Sequence, residues 1–260
     1  MEKELIIIKF GGSLITDKSS DTPKINNRNL ESISNILNQS KYDLIIVHGA
    51  GSFGHPIAKK FNIAKGLNDD VAQKNAIKET RKQVRELNQI FCDSLHKVGI
   101  KTETIVPSSL MTTNGPKEIV NFPYSIFSKA LSENKTPITF GDVTDDKLQG
   151  ISILSGDILM MKLAEFYKPS YSVFIMDYPG VFDGKPDNPD SKIIPVVNQE
   201  TIEILKKQKE NKNIADVTGG LIGKIECAIE MSKYGDTWIT NLDSLNDFLN
   251  NKPSGSRVII

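Results

Sequence analysis

The sequence Leu44-Ile-Ile-Val-His48-Gly-Ala-Gly-Ser-Phe-Gly-His55 carries a short apolar run directly into a glycine-rich turn. The glycines of this turn can adopt positive φ and leave no Cβ in the way, so an anion could approach the backbone N–H groups closely. Pro56 suits the first turn of a following helix. The segment therefore predicts a buried strand, a turn and a helix with an anion site at the turn. A tight connection without a ligand is the alternative.

The N-terminal segment Leu5-Ile-Ile-Ile-Lys9-Phe-Gly-Gly-Ser13 repeats this design and adds a lysine at the end of the strand. A lysine after four apolar residues usually reaches the surface, but beside a phosphate it is a fixed positive charge. Two such turns predict two phosphates. Neither is a Walker A motif, whereas the 49–54 loop fits G-x-G-x-x-G in its letters. A dinucleotide-dependent oxidoreductase is therefore kept as a competing hypothesis.

Composition limits the class of protein. A chain of 260 residues, 38% hydrophobic and 25% charged, is long enough for one large α/β domain or two tightly joined lobes. Lysine plus arginine equals aspartate plus glutamate at 32 each, which argues against a nucleic-acid-binding surface. Cys92 and Cys227 form no C-x-x-C pair, so we expect reduced thiols and a cytoplasmic protein. We expect neither a secretory leader nor a membrane span, because no apolar run is long enough.

Apolar runs alternate with helical patterns through most of the chain, which predicts an α/β fold with a mainly parallel sheet. The spacing predicts helices over 27–38 and 70–98 and strands over 102–107 and 136–140. Residues 141–147 are predicted to be a polar turn into a hairpin that ends near Leu154 and makes the sheet mixed. The 70–98 helix is the candidate for the apolar wall of a ligand pocket.

Two further motifs place polar groups beside predicted helix or strand ends. Ser155-Gly156-Asp157 opens a helix that runs to about Tyr167, and simple capping explains its hydroxyl and carboxylate equally well. The strand that ends at Asp177 leads into an acidic turn and then into a loop over 183–190, which is expected to bind a ligand.

The last motif is Asp216-Val-Thr-Gly-Gly-Leu-Ile-Gly-Lys224. Its glycines are predicted to precede a helix, with Lys224 in the first turn. A positive charge there opposes the helix dipole, which indicates an anionic partner. A solvated surface lysine is the alternative.

Taken together and in order, these motifs resemble the amino acid kinase superfamily over nearly the whole chain. Within it, Thr16-Asp17-Lys18, the loop extended through His55-Pro56 and Ser155-Gly-Asp157 resemble the isopentenyl phosphate kinase family. The resemblance implies a three-layer α/β/α sandwich in a single domain of residues 1–260, with an acceptor-substrate lobe (1–168) and a nucleotide lobe (169–260). It also implies a cytoplasmic homodimer that converts isopentenyl phosphate and ATP into isopentenyl diphosphate and ADP, in the alternative mevalonate route of isoprenoid biosynthesis.

The resemblance implies roles residue by residue. The catalytic residues would be Lys9, Lys18, His55 and Lys224. The nucleotide would lie against Lys9, Gly11, Gly12, Ser13, Asp177, Gly180, Gly219, Gly220 and Lys224. The substrate would lie against Gly49, Ala50, Gly51, Gly54, His55, Ser155, Gly156 and Asp157. Asp157 could also orient the lysines. Mg²⁺ would be held mainly by the ATP phosphates, without protein ligands.

Three positions depart from the family pattern. Pro179 replaces the second acid of the D-x-D-G turn, Ala50 replaces the central glycine of the H-G-G-G loop, and Ile158 replaces the second aspartate of Ser-Gly-Asp-Asp. Side-chain contacts of the replaced residues do not carry over. Backbone contacts at Ala50 survive if its φ is negative.

The chemistry agrees with the lack of a catalytic base. A phosphate monoester is largely dianionic near pH 7, because its second pKa is about 6, so the acceptor needs positioning more than activation. Transfer between two anions instead requires lysines, backbone amides, Mg²⁺ and His55.

Three other functions stay open. A kinase of the same superfamily could act on fosfomycin, carbamate or an acidic amino acid, although His55 favours a phosphate or phosphonate over a carboxylate. The oxidoreductase leaves the Lys9 and Lys224 loops without a role. A nucleotide-sensing regulator without catalytic activity is the third possibility.

Overall fold

The chain folds into alternating strands and helices, and the computed structural model describes residues 3–17, 19–68, 70–212 and 217–260. The strands are β1 (Leu5–Phe10), β2 (Asp43–His48), β3 (Thr102–Thr104), β4 (Thr112–Thr113), β5 (Ile119–Asn121), β6 (Thr136–Phe140), β7 (Asp142–Asp146), β8 (Gly150–Leu154), β9 (Tyr171–Met176), β10 (Val196–Val197), β11 (Asp236–Asn241) and β12 (Ser256–Val258). The helices are α1 (Gly12–Ile15), α2 (Asn27–Leu37), α3 (His55–Lys60), α4 (Val71–Lys97), α5 (Pro107–Leu110), α6 (Tyr124–Ser132), α7 (Gly156–Tyr167), α8 (Gln199–Lys212), α9 (Val217–Met231) and α10 (Leu245–Leu249).

An eight-stranded sheet in the order β10-β12-β11-β9-β1-β2-β6-β3 forms the centre of the molecule. Every neighbouring pair is parallel except β11 and β12. Side chains alternate between the two faces of a strand, so Ile7 packs with α7 and α9, whereas Ile6 and Ile8 pack with α2, α4 and α10. Helices therefore cover both faces, and the predicted α/β/α sandwich with a mainly parallel sheet is confirmed.

The predicted hairpin forms, but in a different sheet. β7 and β8 pair antiparallel within a second, four-stranded sheet of order β5-β4-β7-β8. The prediction of a polar turn at 141–147 was wrong, because 142–146 is strand and only residues 147–149 make the turn. The Asp146 carboxylate stabilises that turn by accepting hydrogen bonds from the backbone N–H groups of Leu148 (2.9 Å) and Gln149 (3.0 Å). The central sheet is mixed because of β12, not because of this hairpin.

Helix ends follow the local chemistry of the sequence. The Asp70 carboxylate caps α4 by accepting from the N–H of Ala72 at 2.9 Å, and Gly99 follows the helix with a φ of +89°. The predicted 102–107 strand is shorter than expected and ends at Thr104. Pro107 instead begins α5, where its missing N–H is not needed and its fixed φ is helical.

Helix α9 begins earlier than predicted. It starts at Val217, so Gly219, Gly220 and Gly223 lie inside the helix and Lys224 lies about two turns from its start. The argument that Lys224 opposes the helix dipole in a first turn was therefore wrong. Packing against α7 and α8 accounts for a helix that contains three glycines, since tertiary contacts override intrinsic propensity.

The central sheet runs without a break through both halves of the chain, because β1 pairs with β9. The predicted lobe boundary at 168/169 falls between α7 and β9, and the division into two lobes stays a prediction. Cys92 and Cys227 are both free thiols. Within the parts of the chain that the structure describes, none of the helices combines the length and apolar character needed to cross a bilayer.

Candidate active site

A cavity of about 1420 Å³ opens where the carboxyl ends of β1, β2 and β9 meet. It brings together most of the residues singled out from the sequence: Lys9, Gly11, Gly12, Ser13, Gly49, Ala50, Gly51, Gly54, His55, Ser155, Gly156, Asp157, Asp177, Gly180, Gly220 and Lys224. Gly219 precedes Gly220 inside α9. Lys18 and Asp216 lie outside the described residues.

The two glycine-rich loops interlock. The N–H of Gly49 donates to the carbonyl of Phe10 at 3.0 Å. A Cβ on Gly12 would lie 2.3 Å from the nitrogen of Gly51, and a Cβ on Gly49 would lie 2.6 Å from the nitrogen of Gly12. Of the three glycines of the 49–54 loop, only Gly51 has a positive φ, +50°. Glycine is thus needed at Gly12 and Gly49 because the two backbones touch.

Ala50 keeps the loop conformation despite replacing a glycine. Its φ of −79° and ψ of −27° are ordinary right-handed values, so its backbone groups stay available. The other two departures differ in their surroundings, since Ile158 lies in the first turn of α7 and is buried in the core, whereas Pro179 precedes Gly180 in the turn after β9.

His55 is the first residue of α3, with Pro56 behind it. His55 is an exposed residue that lines the cavity, where desolvation by the surrounding protein and the positive charge of Lys9 lower its pKa below the usual 6.5. The imidazole is therefore neutral near pH 7 and carries one N–H that can donate to an anion.

Lys9, Asp157 and Lys224 form the charged centre of the cavity. Lys9 Nζ donates to Asp157 Oδ1, and Lys224 Nζ lies 3.2 Å from the same oxygen. Burial alone would raise the pKa of Asp157, but the two lysines outweigh burial and lower it to about 2. Burial, followed by repulsion from Lys9, lowers the pKa of Lys224 to about 8. Two cations share one carboxylate, which leaves positive charge for an anionic ligand.

The start of α7 positions this charged centre. Ser155 caps the helix, and its hydroxyl accepts from the N–H of Ile158 at 3.4 Å. Asp157 lies in the first helical turn, where the helix dipole favours a carboxylate. A Cβ on Gly156 would lie 2.8 Å from Lys9 Cε, so glycine makes room for the lysine stem. The Ser155-Gly156-Asp157 motif therefore both caps α7 and places the Asp157 carboxylate beside the two lysines.

Several cavity residues were not identified from the sequence. Ala58, Thr80, Val84, Val143 and Ile153 form an apolar wall on one side. The 70–98 helix was predicted as such a wall, but the side chains that α4 contributes, Thr80 and Val84, could not be chosen without the helix orientation.

On the other side, the loop after β9 contributes Tyr178, Phe182, Lys185 and Asn188. The sequence indicated this loop as ligand-binding without indicating which residues face the cavity.

His48, the histidine at the end of β2, is fully buried and stacks between Phe91 and Phe140, with ring centroids 5.5 and 5.2 Å away. It is a core residue.

The fold and this cavity define a small-molecule kinase of the α/β/α type. The chain belongs to the amino acid kinase family, whose sequence profile matches residues 4–241.

The chain is 33% identical over 238 residues to the isopentenyl phosphate kinase of Methanothermobacter thermautotrophicus, covering 89% of this chain and 88% of that protein. It is 34% identical over 232 residues to the isopentenyl phosphate kinase of Methanocaldococcus jannaschii, covering 85% of each. A solved isopentenyl phosphate kinase structure superposes with a TM-score of 0.84 at 27% identity, covering 98% of this chain and 99% of that one.

Proposed function

We propose that this kinase transfers the γ-phosphoryl group of ATP directly to isopentenyl phosphate, giving isopentenyl diphosphate and ADP. The observation that carries the proposal is one cavity that joins the His55 loop to the Lys9–Lys224 pair. The two archaeal relatives described above, which are 33% and 34% identical to this chain over 88% and 85% of their own length, are both isopentenyl phosphate kinases.

The acceptor phosphate binds at the interlocked loops. Gly49, Ala50, Gly51 and Gly54 line its site, where the backbone N–H groups of Ala50 and Gly51 donate to it and the neutral His55 donates one further hydrogen bond. Ser155 and Gly156 complete the lining of the cavity beside the acceptor phosphate. Because the monoester is already dianionic, the site positions it without removing a proton.

The apolar tail of the acceptor lies against the wall that α4 and the β7–β8 hairpin provide. Thr80 and Val84 come from α4, Val143 from β7 and Ile153 from β8. These side chains offer methyl groups and no charge, which suits a branched hydrocarbon tail.

ATP occupies the side of the cavity opposite the acceptor. Its phosphates lie against Gly11, Gly12, Ser13 and the α9 residues Gly219, Gly220 and Lys224, with Asp177 and Gly180 beside the nucleotide. Lys18, which the resemblance places at the transferring phosphoryl group, belongs to the same proposal. Mg²⁺ would be held mainly by the nucleotide phosphates and would neutralise part of their charge.

In the transfer, an oxygen of the acceptor phosphate attacks the γ-phosphorus while the bond to the bridging oxygen of ADP breaks. Negative charge spreads over the three equatorial oxygens. Lys9 and Lys224 stabilise that charge and Asp157 keeps both ammonium groups in place. His55 holds the attacking phosphate in line.

The cellular setting extends the proposal: a cytoplasmic homodimer in the alternative mevalonate route of isoprenoid biosynthesis. Size-exclusion chromatography with light scattering tests the homodimer independently of activity.

A coupled ADP-release assay tests the substrate. Isopentenyl phosphate, dimethylallyl phosphate, fosfomycin and acetylglutamate are compared at equal enzyme concentration. We expect kcat/KM for isopentenyl phosphate to exceed the values for fosfomycin and acetylglutamate at least tenfold, which corresponds to about 1.4 kcal/mol. A preference for fosfomycin or acetylglutamate would overturn the substrate, and ATP binding without any turnover would instead support the regulator.

A further inference from the structure

An aromatic ring lies beneath both lysines of the charged centre. Phe174 is on β9, directly opposite Lys9 in the parallel register of β1 and β9, and is 1% exposed. Lys9 Nζ lies over the ring, 5.8 Å from its centroid, and Lys224 Nζ lies over it at 5.3 Å. One phenyl group thus contacts two ammonium groups that reach it from a strand and from a helix.

The ring of Phe174 attracts both ammonium groups in addition to the Asp157 carboxylate. Both ammonium groups approach the same oxygen of Asp157, so a single negative charge is shared between two positive ones that repel each other. The face of a phenyl ring is electron-rich and attracts a cation within about 6 Å of its centroid, more strongly where water is scarce. Lys9 and Lys224 are both in such a place, with side-chain exposures of 9% and 15%.

We propose that Phe174 is a positioning residue, whose ring face holds the charged ends of Lys9 and Lys224 together for the nucleotide phosphates. Its effect depends on the electron density of the ring and not only on its volume. The role toward the nucleotide rests on the proposed kinase function, whereas the ring–lysine interaction does not.

The titratable groups around this centre come from four elements. Lys9 is on β1, Asp157 on α7, Lys224 and Cys227 on α9, and His55 on α3. The pKa of the Cys227 thiol is raised to about 11 by burial and by Asp157, and that of His55 is lowered. Neither titrates near the pKa of about 8 of Lys224. Since a cation–π contact favours the charged amine, weakening it moves the pKa of Lys224 further down.

Stepwise fluorination of the ring tests the proposal, because fluorine withdraws electron density from the ring face with little change of shape. Phenylalanine with one, two or three fluorines is placed at 174 in the full chain, and the ¹³C signals of the lysine Cε atoms are titrated in the free protein. Lys224→Arg assigns the Lys224 signal. We expect its pKa to fall with each fluorine, by roughly half a unit over the series.

The matched control is the same series at Phe127, which is equally buried in the same core and stacks on Phe122 at 5.5 Å. Fluorination there leaves the Lys224 titration unchanged. A Lys224 pKa that stays within 0.1 unit throughout the Phe174 series, roughly a fifth of the expected change, overturns the proposal. An equal shift in the Phe127 series overturns it as well.

The alkaline limb of kcat/KM for ATP provides the functional readout and should move down in parallel with the titration. If isopentenyl phosphate is not a substrate, the titration in the free protein still decides the role of the ring. Failure of the proposed function and failure of this inference are therefore distinguishable.

Discussion

Glycines serve opposite purposes in the two glycine-rich parts of the cavity wall. In the strand-end loops, a Cβ on Gly12 or Gly49 would meet backbone at 2.3 or 2.6 Å. In α9, a Cβ on Gly220 or Gly223 would meet nothing within 4 Å. The loops need glycine so that two backbones can touch, whereas α9 keeps open space near Lys224. One side of the cavity is thus built from backbone amides, and the other from charged side chains on packed elements.

On the side of the cavity that is built from backbone amides, His55 is the side chain that we propose to contact the acceptor phosphate. Its removal should therefore have the largest effect. His55→Ala should lower kcat about a thousandfold, because the variant lacks the hydrogen-bond donor that we propose for the reacting phosphate. Steady-state kinetics measures the effect, and circular dichroism checks the fold. His96→Ala is the control, since His96 is exposed and bonds Thr102. Near-normal turnover would remove His55 from the mechanism.

Gly12→Ala tests the contact between the loops. The new methyl group has no room against Gly51 backbone, so we expect the free energy of unfolding to fall by about 3 kcal/mol. Urea denaturation measures this loss. A change below about 0.5 kcal/mol would show that the loops can separate without cost and would contradict the interlocked arrangement.

Lys224→Ala tests the side of the cavity that is built from charged side chains. Loss of this charge should lower kcat/KM for ATP about a hundredfold, or about 2.7 kcal/mol, without unfolding the protein. The KM of the acceptor should change much less, because the glycine-rich loop that we propose to bind its phosphate is intact. Lys233→Ala, which removes an exposed lysine paired with Glu230, should leave both constants unchanged. Unchanged ATP kinetics in Lys224→Ala would contradict the assignment.

The same lysine predicts a pH dependence. Because the pKa of Lys224 in the free protein is about 8, kcat/KM for ATP should fall tenfold per unit as pH rises above that value. In Lys224→Arg this limb should disappear, since a guanidinium stays charged. A limb that persists unchanged in Lys224→Arg would assign the titration to another group.

Gly223→Ala should have the smallest effect and the opposite sign to Gly12→Ala. Alanine has the higher helix propensity, and open space surrounds this position, so the free energy of unfolding should rise by about 0.5–1 kcal/mol. Urea denaturation under the same conditions makes the comparison direct. A loss of stability would mean that Gly223 meets a contact absent from this structure.

The fold was predictable where local pattern and packing agree. Apolar runs ending in glycine correctly indicated β1 and β2, and the periodicity of α4 gave both of its ends within one residue. The pattern was insufficient at α9, where glycines suggested a loop and packing against α7 and α8 makes a helix. It also failed at 142–146, where polar residues form a strand because neighbouring groups satisfy them.

The candidate site was predictable for residues next to strand ends and much less so elsewhere. Lys9 lies near the carboxyl end of β1 and His55 follows β2, and because these ends meet at one edge of the sheet, the proximity of the two residues follows from topology. The sharing of Asp157 by two lysines depends on how α7 and α9 pack. Phe174 gave no signal, because an aromatic residue in a buried strand is ordinary core until a cation is found over its ring.

The central claim is that one cavity holds ATP and the acceptor phosphate end to end, so that the phosphoryl group passes between them in a single step. The direct test uses ATP made chiral at the γ-phosphorus with three oxygen isotopes, followed by analysis of the configuration in isopentenyl diphosphate. A single in-line transfer predicts inversion at phosphorus. Retention would require two successive transfers through a phosphorylated protein and would contradict the account.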